Sequence, residues 1–358
     1  MSESYVVPDK NLQVEANVTH DGIRFFDVRE APFCVYGLYD YKRESIFKRM
    51  PSEVAEKVSN TVSILHTNTA GGRVRFSTNS RYISIRTKER NATAFSHMTF
   101  MGIAGFDLYV DKANDLPKGY YASFIPPMNA HDGYESKVDL GSRAPRSFTV
   151  NFPSYCDVIS LEIGVEADAD LCKGEEYANK LPVVFYGSSI TQGGCSSRPG
   201  NTYQNIISRR LGIGYINLGF SGGCKAEKAM AEYLSTLKMS TFVCDYDHNA
   251  PSPAYLRETH FPLYEKIRSK NPDLPYVMIS LPGYRNNATA EERRRIIIDS
   301  FERALALGDT NVYFIDGRDF FKEPYEDICT VDRCHPNDLG FALMADKIGA
   351  VLKTILNR

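Results

Sequence analysis

The sequence predicts a two-domain protein in which an antiparallel β-sandwich or jelly roll precedes a doubly wound α/β domain. Three observations support this fold class. The chain has 358 residues, which is more than one hydrophobic core usually supports. Its first half contains short segments that alternate polar and apolar residues, whereas its second half contains apolar runs separated by helical patterns. A polar, acidic stretch between the halves predicts domains at residues 1–175 and 176–358.

Period-two alternation in the first half predicts antiparallel strands with one buried face. The alternating segments are Arg73–Ser77, Ile83–Arg86, Phe148–Phe152 and Ile159–Ile163. Gly, Asn and Pro turns separate them, which is typical of a sandwich or jelly roll. Valines at fourfold spacing also predict one helix between Pro51 and Leu65.

Apolar runs in the second half predict buried parallel strands. These runs are Val183–Tyr186, Tyr215–Leu218, Thr241–Asp245, Tyr276–Ser280 and Val312–Ile315. Helical patterns occur at Tyr203–Leu211, Ala229–Leu237, Thr289–Leu307 and Asp338–Leu356. The third of these patterns opens with Thr-Ala-Glu-Glu, which resembles a capping box. Strands that alternate with helices predict a largely parallel sheet with about one helix per crossover.

Charge, hydropathy and cysteine usage exclude several classes of protein. The formal net charge of −2 gives no reason to expect binding to nucleic acid or to an anionic membrane. No apolar run approaches the roughly 20 residues that span a bilayer. The eight cysteines form no Cys-x-x-Cys pair, which argues against a zinc ribbon or a thioredoxin. Cys329 and Cys334 could pair around a short loop, although free thiols are expected in a cytosolic protein.

The N-terminus shows no basic region followed by an apolar core, so no signal peptide is predicted. If Met1 is the native start, a cytoplasmic protein is expected. A trimmed N-terminus would instead leave a secreted or periplasmic protein open.

Ser189 follows the first apolar run of the second half, within Gly187-Ser188-Ser189-Ile190-Thr191. The carboxyl edge of an open α/β sheet is where such folds carry their chemistry. A serine there becomes a nucleophile if a base removes its proton. An ordinary strand-to-loop turn explains the same residues equally well, since Gly and Ser are common in turns.

Two further polar blocks follow the next two predicted strands. Glycines in Asn217–Gly223 free backbone N–H groups that could bind an oxyanion, although a flexible loop is the simpler explanation. Asn249, at a strand end, could donate its amide to the same oxyanion, or it could be a turn asparagine. His248 could line the pocket, but a satisfied structural histidine is the safer interpretation.

The last block is Asp332-Arg333-Cys334-His335-Pro336-Asn337-Asp338, just before the final helical pattern. Asp332 and His335 are three residues apart on a predicted loop. A loop of this spacing can place the carboxylate so that it orients the imidazole, which then acts as general base and acid.

In this order the motifs Gly-x-Ser-Ile-Thr, Asn-x-Gly-x-Ser-Gly, a strand-end Asn and Asp-x-x-His-Pro-Asn-Asp resemble the SGNH (GDSL-type) hydrolase superfamily. The resemblance covers about residues 181–358 and implies a flavodoxin-like sheet of five parallel strands. It implies that Ser189 is the nucleophile, His335 the base and Asp332 the residue that orients it. It also implies an oxyanion hole made by the backbone N–H groups of Ser189 and Gly222 and the side chain of Asn249.

A second resemblance lies in the first half, where Gly105-Phe106-Asp107-Leu108-Tyr109 is similar to the Gly-x-Asp-Leu-Tyr signature of a β domain that precedes one SGNH branch. The chain departs from the superfamily pattern at two places. Ser188 stands where many members have Asp, which puts the hydrogen bonding of that turn in question. The third block reads Asp-Tyr-Asp-His-Asn rather than Gly-x-Asn-Asp, so the assignment of Asn249 depends on its strand position.

Substrate contacts are predicted from loops beside Ser189. Arg198 could bind a substrate carboxylate or sugar hydroxyls, or it could tie its own loop to a nearby carboxylate. Tyr284 and Arg285 follow the fourth predicted strand and could line the other side of the pocket. The sequence has no long apolar lid of the kind that an interfacial lipase would show.

These observations predict a serine carboxylesterase that removes small acyl groups, with acetyl favoured, from carbohydrates through an acyl-serine intermediate. The alternatives are a carbohydrate-binding protein with reduced activity, and a lipase or thioesterase of the same fold. Neither a His-Glu-x-x-His zinc pattern nor a P-loop occurs, so no metal or other cofactor is expected. The expected partner is a small-molecule or oligosaccharide ester, with no nucleic acid and no membrane.

Overall fold

The structure is a computed structural model that describes residues 14, 18–128, 130, 132–283 and 287–357. Its first half forms two antiparallel sheets that enclose one apolar core. The strands are β1 (Ile23–Asp27), β2 (Cys34–Tyr36), β3 (Arg73–Thr78), β4 (Tyr82–Arg90), β5 (Phe106–Lys112), β6 (Gly119–Phe124), β7 (Gly133–Asp139), β8 (Arg146–Asn151), β9 (Asp157–Glu166) and β10 (Leu171–Lys173). The four-stranded sheet has the order β1-β9-β4-β7. In the six-stranded sheet the order is β10-β3-β8-β5-β6, and β2 pairs with β3. The predicted antiparallel sandwich is confirmed.

Short helices interrupt the sandwich: α1 (Ser52–Val58), α2 (Asn60–Leu65) and α3 (Phe100–Ala104). The helical interruption predicted between Pro51 and Leu65 is confirmed, but it consists of two helices rather than one. The chain breaks at Ser59, which is fully extended, and the Ser59 hydroxyl accepts a hydrogen bond from Val62 N (3.2 Å). Serine at an N-cap satisfies a free N–H group of the first turn, so it begins a new helix here.

The second half forms a five-stranded parallel sheet with helices on both faces. Its strands are β11 (Val183–Gly187), β12 (Tyr215–Gly219), β13 (Thr241–Asp245), β14 (Tyr276–Ile279) and β15 (Val312–Ile315). Their order in the sheet is β12-β11-β13-β14-β15, and every neighbouring pair is parallel. This is the flavodoxin-like order, so the predicted architecture is confirmed. The predicted dividing point at 175/176 lies between β10 and β11.

The helices of this half are α4 (Ser189–Gln192), α5 (Tyr203–Leu211), α6 (Lys228–Thr236), α7 (Pro253–Lys270), α8 (Ala288–Ala306) and α9 (Asp338–Ile355). One apolar core lies beneath α6, α7 and α8, and a second lies beneath α5 and α9. α8 begins one residue before the predicted capping box, because the Asn287 side chain accepts from Ala290 N (3.1 Å). None of the described helices is long and apolar enough to cross a membrane.

A buried carboxyl group in the sandwich is expected to make the free energy of unfolding depend on pH. Glu89 on β4 accepts hydrogen bonds from Thr87 Oγ1 (3.2 Å) and Cys156 Sγ (3.6 Å), and no described cation pairs with it. Burial raises the pKa of Glu89 to about 8. The folded state thus keeps a proton that the unfolded state releases near its ordinary pKa. Stability should fall as the pH rises from about 4.5 to 8, by up to about 1.4 kcal/mol per pH unit.

We therefore compare the free energy of unfolding of Glu89→Gln with that of the wild type. The difference is expected to be more in favour of Glu89→Gln at pH 8 than at pH 5. Urea denaturation of both proteins at the two pH values measures this difference. An equal difference at both pH values would mean that Glu89 is already ionised in the folded protein.

Candidate active site

Four loops meet at the carboxyl edge of the parallel sheet. α4 follows β11 directly, and the loop after β12 carries residues 220–223. The loop after β13 carries residues 246–249, and the loop before α9 carries residues 329–337. Because parallel strands end at one edge, residues far apart in the chain lie together there.

The turn after β11 presents Ser189 at the first position of α4. Ser188 N donates to Asp245 O (3.1 Å), which continues the strand pairing. The Ser188 hydroxyl then accepts from Ile190 N (3.1 Å) and so caps the helix. A Cβ on Gly187 would lie 2.2 Å from Asp245 O, so only glycine allows this close packing. The hydroxyl of Ser188 therefore supplies a cap for the turn although the carboxylate usual in the superfamily is missing.

Ser189, His335 and Asp332 form a continuous hydrogen-bonded chain. Ser189 Oγ lies 2.8 Å from His335 Nε2, and His335 Nδ1 lies 2.7 Å from Asp332 Oδ2. Asp332 Oδ1 also accepts from the backbone N–H groups of His335 (2.7 Å) and Cys334 (3.0 Å). Burial alone would raise the pKa of Asp332, but these hydrogen bonds outweigh it and lower the pKa. An anionic Asp332 keeps the proton on Nδ1, which leaves Nε2 free to accept the proton of Ser189.

The predicted oxyanion donors lie on three of the four loops. Within the described chain, no residue accepts a hydrogen bond from the backbone N–H of Ser189 or of Gly222. Gly222 has a φ of 66°, a left-handed conformation that favours glycine. Asn249 Nδ2 donates to Phe220 O (3.2 Å), so the Asn249 amide lies against the loop that carries Gly222. One N–H of this amide remains for a ligand.

Gln192, which the sequence analysis did not single out, joins α4 to the loop after β12. Its Oε1 accepts from Ser221 N (2.9 Å), beside Gly222. Its Nε2 donates to Asn68 Oδ1 and to Ser154 O, with both distances 3.1 Å. Both acceptors belong to the β-sandwich half of the chain. A buried amide satisfied on all these sides fixes the distance between the nucleophile helix and the predicted oxyanion loop.

The β-sandwich contributes directly to the site. Tyr155 OH donates to the carbonyl of Ser189 (3.2 Å). The buried guanidinium of Arg49 donates to the carbonyls of Gly219 and Asn217, and it packs over the ring of Phe220 at 4.4 Å. Burial lowers the pKa of Arg49 to about 10, which still leaves it charged at neutral pH. No sequence pattern marks Tyr155 or Arg49, because their partners lie far away in the chain.

Arg198 joins the loop after α4 to the β-sandwich. Its Nη1 lies 2.9 Å from Asp107 Oδ2 and also donates to Tyr109 OH. Asp107 is fully buried and accepts further bonds from Gly200 N (2.8 Å) and Asn151 Nδ2 (2.7 Å). This is the contact expected if Arg198 ties its loop to a carboxylate, the second of its two predicted roles, and substrate binding by Arg198 stays a prediction. Asp107 and Tyr109 are the Asp and Tyr of the Gly-x-Asp-Leu-Tyr signature.

The same loop also contacts the start of α9. Ser197 N donates to Asp338 Oδ1 (2.8 Å), and Asn201 Nδ2 donates to Asp338 Oδ2 (2.8 Å). Asp338 lies three residues after His335. The loop that Asp107 and Arg198 hold therefore bridges the nucleophile helix and the segment of His335.

Arg198→Ala is expected to lower the rate on p-nitrophenyl acetate and on an acetylated sugar by the same factor, up to about 10²-fold. The reason is that loss of the Asp107 contact loosens the loop whichever ester is bound. Rates of both substrates measure this, with Arg210→Ala, an exposed arginine paired with Asp346, as the matched control. A loss confined to the sugar would show that Arg198 binds the substrate instead.

Two other predicted substrate residues have different outcomes. His248 Nδ1 lies 3.0 Å from Asp247 Oδ1, and Asp247 Oδ2 accepts from Leu281 N (2.9 Å). His248 Nε2 is buried and has no hydrogen-bond partner among the described residues, so both roles of this histidine, lining the pocket or acting as a satisfied structural residue, stay predictions. Tyr284 and Arg285 lie outside the described residues. Asp245 accepts from Thr191 Oγ1 (3.3 Å) beneath α4, and burial raises its pKa to about 7.

Comparison with known families covers both halves of the chain. Residues 180–353 match the model of the GDSL-like lipase/acylhydrolase family, and residues 23–171 match the GxDLY model, which describes the N-terminus of SGNH-hydrolase-type esterases. No curated protein matches the chain.

Solved structures resemble the chain over nearly its whole length. The GDSL-like lipase of Bacteroides ovatus ATCC 8483 is 30% identical, with a TM-score of 0.84 over 94% of this chain and 98% of that one. The salicylyl-acyltransferase SsfX3 of a tetracycline biosynthetic pathway is 19% identical, with a TM-score of 0.75 over 92% and 98%. A family two carbohydrate esterase from Clostridium thermocellum, in complex with cellohexaose, is 15% identical, with a TM-score of 0.62 over 91% and 99%. The last two likenesses concern the fold alone.

Proposed function

The chain belongs to the GDSL-like lipase/acylhydrolase family and is a serine ester hydrolase, and from this premise we propose that it removes small acyl groups, acetyl first among them, from carbohydrate esters. The observation that carries this proposal is the chain of short contacts from Ser189 Oγ through His335 to Asp332, at 2.8 and 2.7 Å. Those distances suit proton transfer from a serine to a general base.

The proposed reaction has two halves. Ser189 Oγ attacks the ester carbonyl while His335 Nε2 takes its proton, and the oxyanion is bound by the donors of Ser189, Gly222 and Asn249. His335 then gives the proton to the leaving alcohol, which leaves an acyl-Ser189. A water molecule, deprotonated by His335, attacks this ester and releases the carboxylic acid, and the proton returns to Ser189.

A cavity at the loop before α9, whose lining reaches Cys334 but includes neither Ser189 nor His335, supports a polar leaving group. It has a volume of about 590 Å³ and includes Arg333 and Cys334, which lie between Asp332 and His335. Acidic and hydroxyl side chains of Glu326, Asp327 and Thr330 contribute to its lining, together with Leu281 and Phe321. A long acyl chain would need a mainly apolar tunnel, whereas sugar hydroxyls can hydrogen-bond to such a lining. An oligosaccharide is thus the favoured leaving group and a short acyl group the favoured acid.

Turnover of p-nitrophenyl esters from acetate to palmitate, by the wild type and Ser189→Ala, tests the proposal together with a set of acetylated xylo- and cello-oligosaccharides. We expect the highest kcat/KM on acetate, release of acetate from at least one sugar, and no turnover by Ser189→Ala. A preference for palmitate would support a lipase and overturn the acyl assignment. A wild type that is inert on every ester but binds the oligosaccharides would support the carbohydrate-binding alternative.

A further inference from the structure

A second histidine and a cysteine lie beside His335 and have no part in the proposed reaction. The ring of His97 is 5.6 Å from the ring of His335, centroid to centroid. One ligand atom each from His97, Cys195 and His335 lies within 4.8 Å of the other two. The three residues come from separate segments: the β-sandwich, the loop after α4, and the loop before α9. Only the fold brings them together.

We propose that His97, Cys195 and His335 form a binding site for a thiophilic divalent cation such as zinc, and that the cation inhibits the enzyme reversibly. Zinc prefers a donor set of two imidazoles and a thiolate. Hard cations such as magnesium prefer oxygen ligands instead. In a tetrahedral zinc shell the ligand atoms lie about 3.3–3.6 Å apart, given metal–ligand bonds of about 2.0–2.3 Å. Since the ligand atoms lie within 4.8 Å of one another, the cluster has to close by up to about 1.2–1.5 Å, and the exposed side chain of His97 can supply part of this movement.

The backbone at Cys195 provides an independent reason to assign a function to its sulfur. Cys195 has a φ of 72°, in the left-handed region that non-glycine residues seldom adopt. Glycine would fit this position with less strain, and strained residues of this kind cluster at functional sites. The preceding residue, Gly194, donates its N–H to Ser189 O (2.8 Å), so the strained turn is built directly onto the nucleophile helix. The side chain of Cys195 is buried, whereas His97 is exposed and opens the cluster to solvent.

The partners of His335 determine what the cation would do. Its Nδ1 is held by Asp332, so Nε2 is the atom left for a metal, in the carboxylate–histidine–metal arrangement common to zinc sites. Binding breaks the S–H bond of Cys195, forms a metal–sulfur bond and releases the proton to solvent. The lone pair of Nε2 then bonds the metal instead of the hydroxyl proton of Ser189. With no base available, acylation stops until the metal is removed. This inhibition rests on the proposed function, whereas metal binding does not.

Zinc titration of esterase activity tests the inhibition. We expect the wild type to be inhibited by micromolar zinc, to recover with EDTA, and to be unaffected by magnesium. Cys195→Ser and His97→Asn should keep the basal rate and need about 10–100-fold more zinc for half inhibition. Cys172→Ser, which changes an exposed thiol on β10, is the matched control and should behave as the wild type. Equal sensitivity in all four proteins, or no inhibition up to millimolar zinc, would overturn the proposal.

Cobalt(II) tests the site without any substrate. A thiolate–cobalt bond absorbs in the near ultraviolet, so the wild type and Cys172→Ser should show this band and Cys195→Ser should not. The band should persist in Ser189→Ala, which keeps all three ligands. A protein with no activity on any ester but with the Cys195-dependent band would retain the metal site and lose only the proposed function. Absence of the band in the wild type would overturn the metal site itself.

Discussion

His335→Ala is expected to hydrolyse p-nitrophenyl acetate with a kcat about 10³-fold or more below that of the wild type, the scale seen when triad members are removed. The reason is that Ser189 Oγ has His335 Nε2 as its hydrogen-bonded base at 2.8 Å. Without the imidazole, the serine keeps its proton and the leaving alcohol receives none. Initial rates at saturating ester, with correction for the uncatalysed reaction, measure the effect.

Two further variants sharpen this prediction. Ser189→Ala should lose as much as His335→Ala, and the double variant should lose little more, since residues of a triad act as a unit. His20→Ala removes an exposed histidine that pairs with Glu135 on the β-sandwich, and it should leave the rate unchanged. A loss of less than about tenfold in His335→Ala, with the fold intact, would show that another group is the base.

The α/β half was predictable because its three central strands are fully buried and its two edge strands are mostly apolar. Such strands appear as continuous apolar runs, and Thr241–Asp245 and Val312–Ile315 were predicted with the bounds that the structure shows. β5 was not predicted as a strand although it carries the Gly-x-Asp-Leu-Tyr signature. Its first five residues are all buried, so it lacks the alternation that identified other strands of the sandwich. α7 was also not predicted, although Ser252 and Pro253 at its start are typical of a helix N-terminus.

The candidate triad could be predicted because its chemistry depends on residue types in a fixed chain order. The residues of the β-sandwich that hold the triad loops in place could not be predicted. Arg49 and Tyr155 donate hydrogen bonds to backbone carbonyls of the other half. Because every residue has a backbone carbonyl, residue types do not reveal these contacts. The same limit applies to Asp107: its motif was recognisable, but its contact with Arg198 appears only when residues 91 positions apart are brought together. Interactions between the two halves were therefore the part of the site that local patterns could not reveal.

Asn249→Ala is expected to lower kcat by about 10²–10³-fold, the range for loss of one oxyanion donor. The amide of Asn249 lies against the loop of Gly222 through its bond to Phe220 O, and its second N–H is left for the developing negative charge. Because this charge exists only in the transition state, KM should change little. Inhibition by a phosphonate ester, which mimics the tetrahedral intermediate, should weaken by a similar factor.

Asn249→Asp tests whether the hydrogen-bond donor or only the size of the Asn249 side chain matters. The aspartate has nearly the same size, yet in its ionised form it donates no hydrogen bond and repels an oxyanion, so it should be at least as impaired as Asn249→Ala. If Asn249 only braces the loop through its bond to Phe220 O, both variants lose that bond, and both should weaken phosphonate binding and substrate binding alike. An unchanged kcat in Asn249→Ala would move the third donor to another residue and leave the N–H groups of Ser189 and Gly222 as the oxyanion site.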